Sequence, residues 1–574
     1  MTSASLNTRS TPSLARRGAD YFELPSVAEF IVAATLFVIL VVANVLNILH
    51  RGFDSDEPYH AHVIWSWTRG LLQYRDVFDN HMPLFHLMFA PIAGLIGERP
   101  TILFWMRFLL LPMYFVTAWS TYRIGSSLFS HRTGVWAVLL LGFFSGYYSV
   151  AYQFRTDNLW TPLWMLCITA LVGGEMTAHR AAIAGVLLGL CFAVSMKSIL
   201  FLTSIIASFL LLVLIARHRC KIVQPASLAK FMAILCGTAV LVPGLVMVFF
   251  AAKGLWPDLR YQVFEFNFLA KLVPSGHSFI AAVVLTLATL GFAYLALQVF
   301  RLSPNPNIGL SRAFVLSLCV IYLFLIEAFW PLSKTYLPAY PLGAIFVTAG
   351  LFALAEKLSR DSASVGRAVR FVPLPAIAAL CEIAVLFTGK PVWKDRTIGE
   401  TNLLRDVLAL TQPDDYVLDC KGETIFRRRC FRLLLERITR KAIKRGIITD
   451  DAPQRCIETR TCVVATMLHR YSDSTRDFIE RAYLPVTNHL RVAGAILRPS
   501  TENSRQFQFQ VVIPATYKIF SRAGDASGLL DGVPYNSARF LEAGPHTFES
   551  ISPTNEVVLL WAQAVDRHFT PFKF

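Results

Sequence analysis

The chain of 574 residues is 55% hydrophobic, has a mean hydropathy of +0.50, and carries charge on only 16% of its residues. About a quarter of the residues in an ordinary soluble domain are charged, so this composition excludes that class. The formal net charge is +16, but no basic groove with interleaved aromatic residues accompanies it, and we expect no nucleic-acid partner.

Charge is concentrated toward the C-terminus. Residues 390–574 hold 27 of the 54 lysines and arginines and 21 of the 38 acidic residues. This shift predicts a transmembrane domain over residues 28–390 and a soluble extracytoplasmic (periplasmic) domain over residues 391–574. Residues 1–27 are basic and lack a cleavage site after a short apolar run, so we interpret them as a cytoplasmic tail.

Apolar runs recur along the first two thirds, and a run of about 20 residues can cross a bilayer as a helix. The predicted spans are 28–49, 101–122, 133–152, 159–174, 181–197, 199–216, 231–251, 277–300, 313–331, 340–356 and 372–388. The apolar segment 83–97 is short and interrupted by two prolines, which predicts a juxtamembrane or re-entrant segment.

Basic loops belong on the cytoplasmic side of a membrane. With segment 83–97 not crossing, this rule favours eleven spans, an N-terminus inside and a C-terminal domain outside. The loop 50–100, the turn around Asp157 and the loop 252–276 then share the outer side with that domain.

Three carboxylates, Asp54, Asp56 and Glu57, follow the first span. Acidic groups at a membrane are costly to bury and are therefore functional candidates, although a solvated loop end explains them equally well. The next stretch, residues 59–73, is aromatic and amphipathic, which suits a helix lying at the lipid–water interface. An interfacial helix beside an acidic loop is what a lipid-linked substrate would need.

Two further polar positions lie at predicted outer span ends. Asp157 begins a span and follows Arg155, so a helix N-cap or a simple ion pair competes with a functional role. Lys197 would either extend its amine to the interface or meet a phosphate, for which lysine is a compact cation.

The outer segment 333–341 combines Lys334 and Tyr336 with prolines that would also suit a plain turn. Arg107 and Glu327 lie inside apolar runs, where a charged side chain is expected to have a partner or line a cavity.

The C-terminal domain has the pattern of an α+β fold. The pattern predicts helices over 400–411 and 432–445 and strands over 416–419, 462–467, 507–520 and 557–562. Its cysteines are even in number, which predicts one or two disulfides of undetermined pairing rather than a zinc site. They are Cys420, Cys430, Cys456 and Cys462.

Taken in order, these motifs resemble the GT-C glycosyltransferases, in particular the group of protein O-mannosyltransferases and lipid A aminoarabinose transferases. The residues that carry the resemblance are Asp56-Glu57, Tyr59, Pro83-Leu84, Gly97, Asp157, Gly185, Gly189, Lys197 and the segment Lys334 to Pro341. The resemblance covers about residues 28–390. This chain has His81-Met82 where the family usually has a Lys-Pro-like pair.

The resemblance implies inverting transfer of a sugar from a polyprenyl-phosphate donor to an extracytoplasmic acceptor (protein, lipid or glycan). Asp56 would be the catalytic base, Glu57 would support it, and Asp157 would orient the acceptor or share the load. Lys197, with Arg155 or Lys334, would face the lipid phosphate.

The resemblance also gives His81 the place of the usual cation and adds Asp54, Tyr59 and Tyr336 to the substrate-binding residues. Some members use a divalent metal at such acids, and the sequence leaves this cofactor open. The implied location is a bacterial inner (plasma) membrane.

Two other classes compete with the transferase. A polytopic transporter or lipid flippase often shows paired internal repeats, and neither these nor midplane acids are evident. A membrane-anchored binding or sensory protein would hardly need eleven spans.

Overall fold

The computed structural model describes residues 26–172, 175, 177–219, 225–269, 306–329, 333–361, 372–389, 391–499, 505–551 and 556–573. The predicted span 277–300 and nearly all of the predicted tail 1–27 lie outside these residues. The described residues form a helical part followed by a C-terminal sheet domain.

The helical part is built from apolar helices. They are α1 (Val27–His50), α2 (Asp56–Thr68), α3 (Leu84–Ile96), α4 (Ile102–Phe108), α5 (Leu111–Leu128), α6 (His131–Phe143), α7 (Asp157–Val172), α8 (Ala178–Val194), α9 (Ser198–Arg219), α10 (Pro225–Ala239), α11 (Leu241–Ala252), α12 (Pro306–Phe329), α13 (Tyr340–Asp361) and α14 (Leu374–Gly389). Short helical turns lie at Ser145–Tyr148, Trp256–Leu259, Arg260–Glu265, Phe266–Phe268 and Ser333–Ala339.

Five helical stretches among the described residues are long and apolar enough to cross a membrane. They are Val27–His50, Ile102–Leu128, Ser227–Ala252, Ile308–Phe329 and Lys334–Asp361. Shorter apolar helices lie at Leu84–Ile96, Ala178–Val194, Ser198–Leu214 and Leu374–Gly389. The predicted helical architecture with apolar candidate spans is therefore observed, whereas the domain bounds and the number of eleven spans stay predictions.

One predicted span is shorter in the structure. The span predicted over 133–152 corresponds to α6, which ends at Phe143, and the chain then turns through residues 145–156. Hydropathy extends the predicted span beyond Phe143 because the aromatic residues that follow are apolar. In the structure they pack in a turn, where the hydroxyl of Tyr148 donates to the carbonyl of Ala43. This turn carries Arg155 toward the carboxylates after α1.

Close packing in the helical part fixes the helices that border this turn. Trp160 and Trp164 of α7 stack on Phe201 of α9, with ring centroids 4.3 and 3.9 Å apart. The Trp160 Nε1–H also donates to Ser198 Oγ at 2.8 Å. Because α7 begins at Asp157 and α9 begins just after Lys197, this packing brings the two charged groups together.

Small residues allow α8 to lie directly on α10. A Cβ added at Gly185 would collide with the carbonyl oxygen of Leu235, and one at Gly189 would be 2.7 Å from that of Ala239. Small residues at membrane helix interfaces permit such backbone approach. An alanine at Gly185 or Gly189 would therefore push α8, the helix that leads to Lys197, away from α10.

The C-terminal domain contains short strands and helices. The strands are β1 (Tyr416–Leu418), β2 (Arg428–Arg429), β3 (Val463–Ala465), β4 (Tyr483–Pro485), β5 (Leu490–Leu497), β6 (Gln506–Val511), β7 (Ala515–Ser521), β8 (Gly524–Asp525), β9 (Gly528–Leu530), β10 (Val533–Tyr535), β11 (Arg539–Leu541), β12 (Gly544–Ser550) and β13 (Val557–Trp561). The helices are α15 (Ile398–Leu410), α16 (Arg437–Lys444), α17 (Ala452–Glu458), α18 (Asp473–Ala482) and α19 (Ala562–Asp566).

Within the described residues these strands form two sheets. The larger runs β11-β7-β13-β5-β3-β1-β2, with β4 beside β5 and β8 beside β7, and the smaller runs β10-β9-β12-β6. β1 pairs in parallel with β2 and β3, whereas β3, β5, β13 and β7 pair antiparallel. The single strand predicted over 507–520 is two strands in different sheets, because the chain leaves the ladder before Ala515, next to Pro514.

The four cysteines of the C-terminal domain are free thiols in the structure, which differs from the expectation of one or two disulfides. Cys430 and Cys456 nevertheless lie with their Sγ atoms 3.5 Å apart, and both are buried. A disulfide requires its two sulfurs to be adjacent. If the domain faces an oxidising compartment, this pair is positioned to close one.

We therefore expect protein purified without reductant to contain a Cys430–Cys456 bridge. Mass spectrometry of non-reduced peptides should recover the two cysteines in one cross-linked species, and reduction should separate them. Alkylation of both thiols in unfolded, unreduced protein would contradict this expectation.

Candidate active site

The carboxylates predicted by the sequence lie at the start of α2. Asp56 and Glu57 occupy its first turn, where the positive end of the helix dipole favours acidic groups. The backbone N–H of Asp56 donates to Asp54 Oδ1 at 3.2 Å, and that of Asp54 donates to Glu57 Oε1 at 2.8 Å. These bonds fold the acidic segment into a tight turn.

Glu57 is fully buried, unlike the other two acids of this turn. Arg107 of α4 donates to both of its oxygens, from Nη2 at 2.7 Å and from Nε at 2.8 Å. The N–H of Phe154 donates to Oε2 at 3.0 Å. Glu57 thus ties the acidic turn to α4 and to the segment that carries Arg155, and Arg107 has the partner that its apolar surroundings predicted.

Arg155 joins the acidic turn to the second predicted acid. Its Nη1 lies 2.8 Å from Asp54 Oδ1 and also contacts Asp56 Oδ2. Its Nη2 lies 3.3 Å from Asp157 Oδ2. Asp56 and Asp157, which are far apart in the sequence, therefore share one guanidinium group, and the structure places them on the same side of the helical part.

Within the helical part, two lysines from separate elements, Lys197 and Lys334, also pair with these carboxylates. Lys197 Nζ lies 3.1 Å from Asp157 Oδ1 and 5.4 Å from the centre of the Trp160 ring. Lys334 Nζ lies 2.5 Å from Asp54 Oδ2. Burial alone would raise the pKa of Asp54, but Arg155 and Lys334 outweigh it and hold that pKa below its usual value.

The C-terminal domain adds a cation that the sequence did not indicate. Lys421 Nζ contacts Asp56 Oδ1 and lies 3.5 Å from Glu436 Oε2, and its side chain is 9% exposed. No motif in the sequence marks Lys421, because its partner is 365 residues away. Only the docking of the two domains brings them together.

His81 lies beside this cluster and is oriented by Asp79. Its Nδ1 donates to Asp79 Oδ1 at 3.0 Å, and the fully buried Asp79 also lies 3.1 Å from His86 Nδ1. Tyr59 donates its hydroxyl to Asp79 Oδ1, and Gln73 donates from its amide Nε2 to Asp79 Oδ2 at 2.5 Å. Tyr59 is thus a buried support for the His81–Asp79 pair, while its ring lies 5.7 Å from Lys421 Nζ.

Tyr336, the last predicted binding residue, donates its hydroxyl to Glu327. The acid inside the apolar run of α12 therefore has the kind of polar partner that its position predicted.

Opposite charges meet in equal numbers in the described part of this cluster. Its acids are Asp54, Asp56, Asp157 and Glu436, and its cations are Arg155, Lys197, Lys334 and Lys421. Across the described ranges, no group of three or more His, Cys, Asp or Glu side chains is arranged to hold a metal ion. The ion-paired cluster of these acids and cations can offer a carboxylate to a hydroxyl group and positive charge to an anion.

The fold and this site define the class of the protein. It is a helical membrane protein whose ion-paired carboxylates lie next to a C-terminal sheet domain. Residues 80–247 match the family model of dolichyl-phosphate-mannose-protein mannosyltransferases. Two solved structures of ArnT from Cupriavidus metallidurans share the fold, each with 12% sequence identity and a TM-score of 0.50. The structure bound to undecaprenyl phosphate is matched over 80% of this chain and 97% of that chain, and the apo structure over 82% and 98%.

No curated protein sequence matches the chain. The chain is thus similar to these mannosyltransferases over residues 80–247 and has the fold of the two ArnT structures, in line with the resemblance to the GT-C glycosyltransferases.

Proposed function

We propose that this protein transfers a monosaccharide, with inversion, from a polyprenyl-phosphate donor to a hydroxyl group of an extracytoplasmic acceptor. The observation that carries the proposal is the shared contact of Arg155 with Asp56 and Asp157. A carboxylate that removes a proton and cations that receive a phosphate are the two requirements of this reaction.

In the proposed step, Asp56 takes the proton of the acceptor hydroxyl while that oxygen bonds to the anomeric carbon of the sugar. The bond from this carbon to the phosphate oxygen breaks, and the polyprenyl phosphate leaves with the bonding electrons. Asp157 orients the acceptor, and Glu57 supports Asp56 through its bonds to Arg107.

Lys197, Arg155 and Lys334 are the proposed partners of the leaving phosphate. Each of these cations already lies within 3.3 Å of a carboxylate oxygen. When the phosphate binds, the cations therefore exchange carboxylate partners for phosphate oxygens. That exchange limits the cost of removing the cations from water. One of the two ArnT structures holds undecaprenyl phosphate, which supports a donor of the same chemical class here.

His81 is the proposed substitute for the cation that the family usually has before Pro83. Asp79 holds its Nδ1, which directs Nε2 away from Asp79 and makes it available to the phosphate. The proposed binding site includes three further residues. Asp54 belongs to it through its ion pairs with Arg155 and Lys334. Tyr59 contributes through its hydrogen bond to Asp79, and Tyr336 through its hydrogen bond to Glu327.

We place the protein in the inner membrane of a bacterium, with the N-terminus in the cytoplasm and the acidic turn and C-terminal domain outside. The placement rests on the distribution of basic residues among the predicted loops. A divalent metal at the acids is neither required nor excluded by the proposed step.

The test is turnover of a radiolabelled polyprenyl-phosphate sugar by the purified protein in lipid nanodiscs supplied with cell-envelope extract as acceptor. We expect label to move from the lipid phase to an acceptor and unlabelled polyprenyl phosphate to accumulate. Movement of intact labelled lipid across a liposome membrane, without cleavage of the sugar–phosphate bond, would favour the flippase class instead.

A further inference from the structure

Lys421 reaches the acidic turn from a loop of the C-terminal domain that comprises residues 419–425. The loop follows β1 and lies against α2, the helix that begins with Asp56. The Lys421 side chain contacts Asp56 and is almost completely shielded from solvent. Burial lowers its pKa, and the nearby Glu436 carboxylate opposes this effect.

The loop is held rigidly by Asp419. The two oxygens of this buried carboxylate accept hydrogen bonds from the N–H of Gly422 at 3.0 Å and of Thr424 at 3.0 Å. They also accept from Thr424 Oγ1 at 2.7 Å and from Arg429 Nε at 2.6 Å. Four bonds to one carboxylate fix the backbone on both sides of Lys421 before any substrate binds.

The loop is also fitted to the helical part. Gly422 has a φ of +84°, and a Cβ there would lie 3.0 Å from the Cβ of His62 on α2. His62 Nδ1 donates to the carbonyl oxygen of Ile425 at 2.7 Å. The glycine in the left-handed region and the hydrogen bond from His62 thus hold the loop against α2, about 1.7 turns after Asp56.

The Lys421 contact engages Asp56 directly. Asp56 Oδ1 meets Lys421, while Asp56 Oδ2 meets Arg155 and lies 3.9 Å from Lys334. Arg155 and Lys334 are shared with Asp54, whereas Lys421 pairs with Asp56 and Glu436. The orientation of the Asp56 carboxyl plane is therefore set by cations from both domains.

We propose that Lys421 is a positioning residue contributed by the C-terminal domain, and that transfer requires its ammonium group beside Asp56. The inference rests on the proposed function and makes the C-terminal domain a part of the active site rather than only a cap. Lys421 aligns Oδ1 for the acceptor hydroxyl, and its charge keeps Asp56 ionised and ready to take a proton.

The test compares Lys421→Ala, Lys421→Gln and Lys421→Arg in the full-length protein in nanodiscs, with the radiolabelled donor. We expect kcat to fall about 10²-fold in the alanine and glutamine variants, the size of effect that a misplaced catalytic group produces. The KM for the donor should change little, and arginine should restore most of the rate because it keeps a cation.

A pH profile separates this role from a purely structural one. The charged groups that face Asp56 are Arg155, Lys334, Lys421 and Asp54, so removing one cation raises the carboxyl pKa. The acid limb of kcat should move to higher pH, by roughly one pH unit, in Lys421→Ala and Lys421→Gln. It should stay in place in Lys421→Arg.

Lys518→Ala is the matched control, because Lys518 pairs with Asp525 in the same domain, at 3.0 Å, away from the site. It should behave as the unaltered protein. Unchanged kcat in all Lys421 variants would overturn the inference, and so would a loss that arginine does not rescue and that leaves the acid limb in place. Absence of turnover by the unaltered protein would instead overturn the proposed function, and the inference with it.

Discussion

Replacing Asp56 with asparagine will lower the rate of transfer by about 10²–10⁴-fold, the contribution that a general base makes. The amide has nearly the same shape but cannot accept the proton of the acceptor hydroxyl. The variant should fold, because Arg155 keeps its contacts with Asp54 and Asp157 and Lys421 keeps Glu436 nearby. The measurement is kcat with the labelled donor, at protein amounts matched by gel filtration.

The control for this substitution is Asp473→Asn, since Asp473 is exposed at the start of α18 and forms a surface pair with Arg476. It should leave kcat unchanged. Binding of the donor should persist in Asp56→Asn, because the proposed phosphate partners are untouched. A variant that transfers sugar at the normal rate would remove Asp56 from the role of base.

Replacing Arg107 with alanine will destabilise the folded protein by about 3–5 kcal/mol, the typical cost of breaking a buried ion pair. The change leaves the Glu57 carboxylate buried without a cation. It also removes donors from the carbonyl oxygens of Ile48, Arg51 and Gly52, which Arg107 reaches at 3.0, 2.7 and 3.1 Å. Unfolding followed by tryptophan fluorescence in detergent should show a much lower midpoint.

The double variant Arg107→Ala with Glu57→Gln should recover part of this loss, because the neutral amide costs less to bury than an unpaired carboxylate. Arg123→Ala is the control, since Arg123 is exposed on α5 and its removal should leave the midpoint unchanged. An unfolding midpoint for Arg107→Ala equal to that of the unaltered protein would show that this pair does not hold the acidic turn.

The sequence predicted three of the four acids and three of the four cations of the cluster, and most of them for a physical reason. Charged groups at the ends of apolar runs are expensive there, so Asp56, Asp157, Lys197 and Lys334 stand out without any structure. Their order along the chain then matched a known family. The sequence did not identify Arg155 as the partner that Asp56 and Asp157 share, because a helix N-cap or a local ion pair explained Asp157 equally well.

Long-range partners could not be predicted. Lys421 is an ordinary lysine in a polar segment, and its contact with Asp56 arises only when the loop after β1 packs on α2. The burial of Tyr59 on Asp79 is likewise a consequence of tertiary packing. Only the resemblance to the family placed Tyr59 among the substrate-binding residues.

Local structure was predicted best where periodicity was strong. The helix predicted over 400–411 is α15 (Ile398–Leu410), whereas the basic helix predicted over 432–445 is confined to α16 (Arg437–Lys444). The eight-residue strand β5 (Leu490–Leu497) was missed, because apolar residues occupy both of its faces and it lacks the alternation that marks a half-exposed strand.

The most direct measurement of the central claim is a structure of the protein in nanodiscs with undecaprenyl phosphate bound. We expect phosphate oxygens within hydrogen-bond distance of Lys197 and Arg155, with Asp56 on the side open to an acceptor. A phosphate bound away from this ion-paired cluster, or an Asp56 carboxylate that no hydroxyl group can reach past the lipid, would contradict the proposed mechanism.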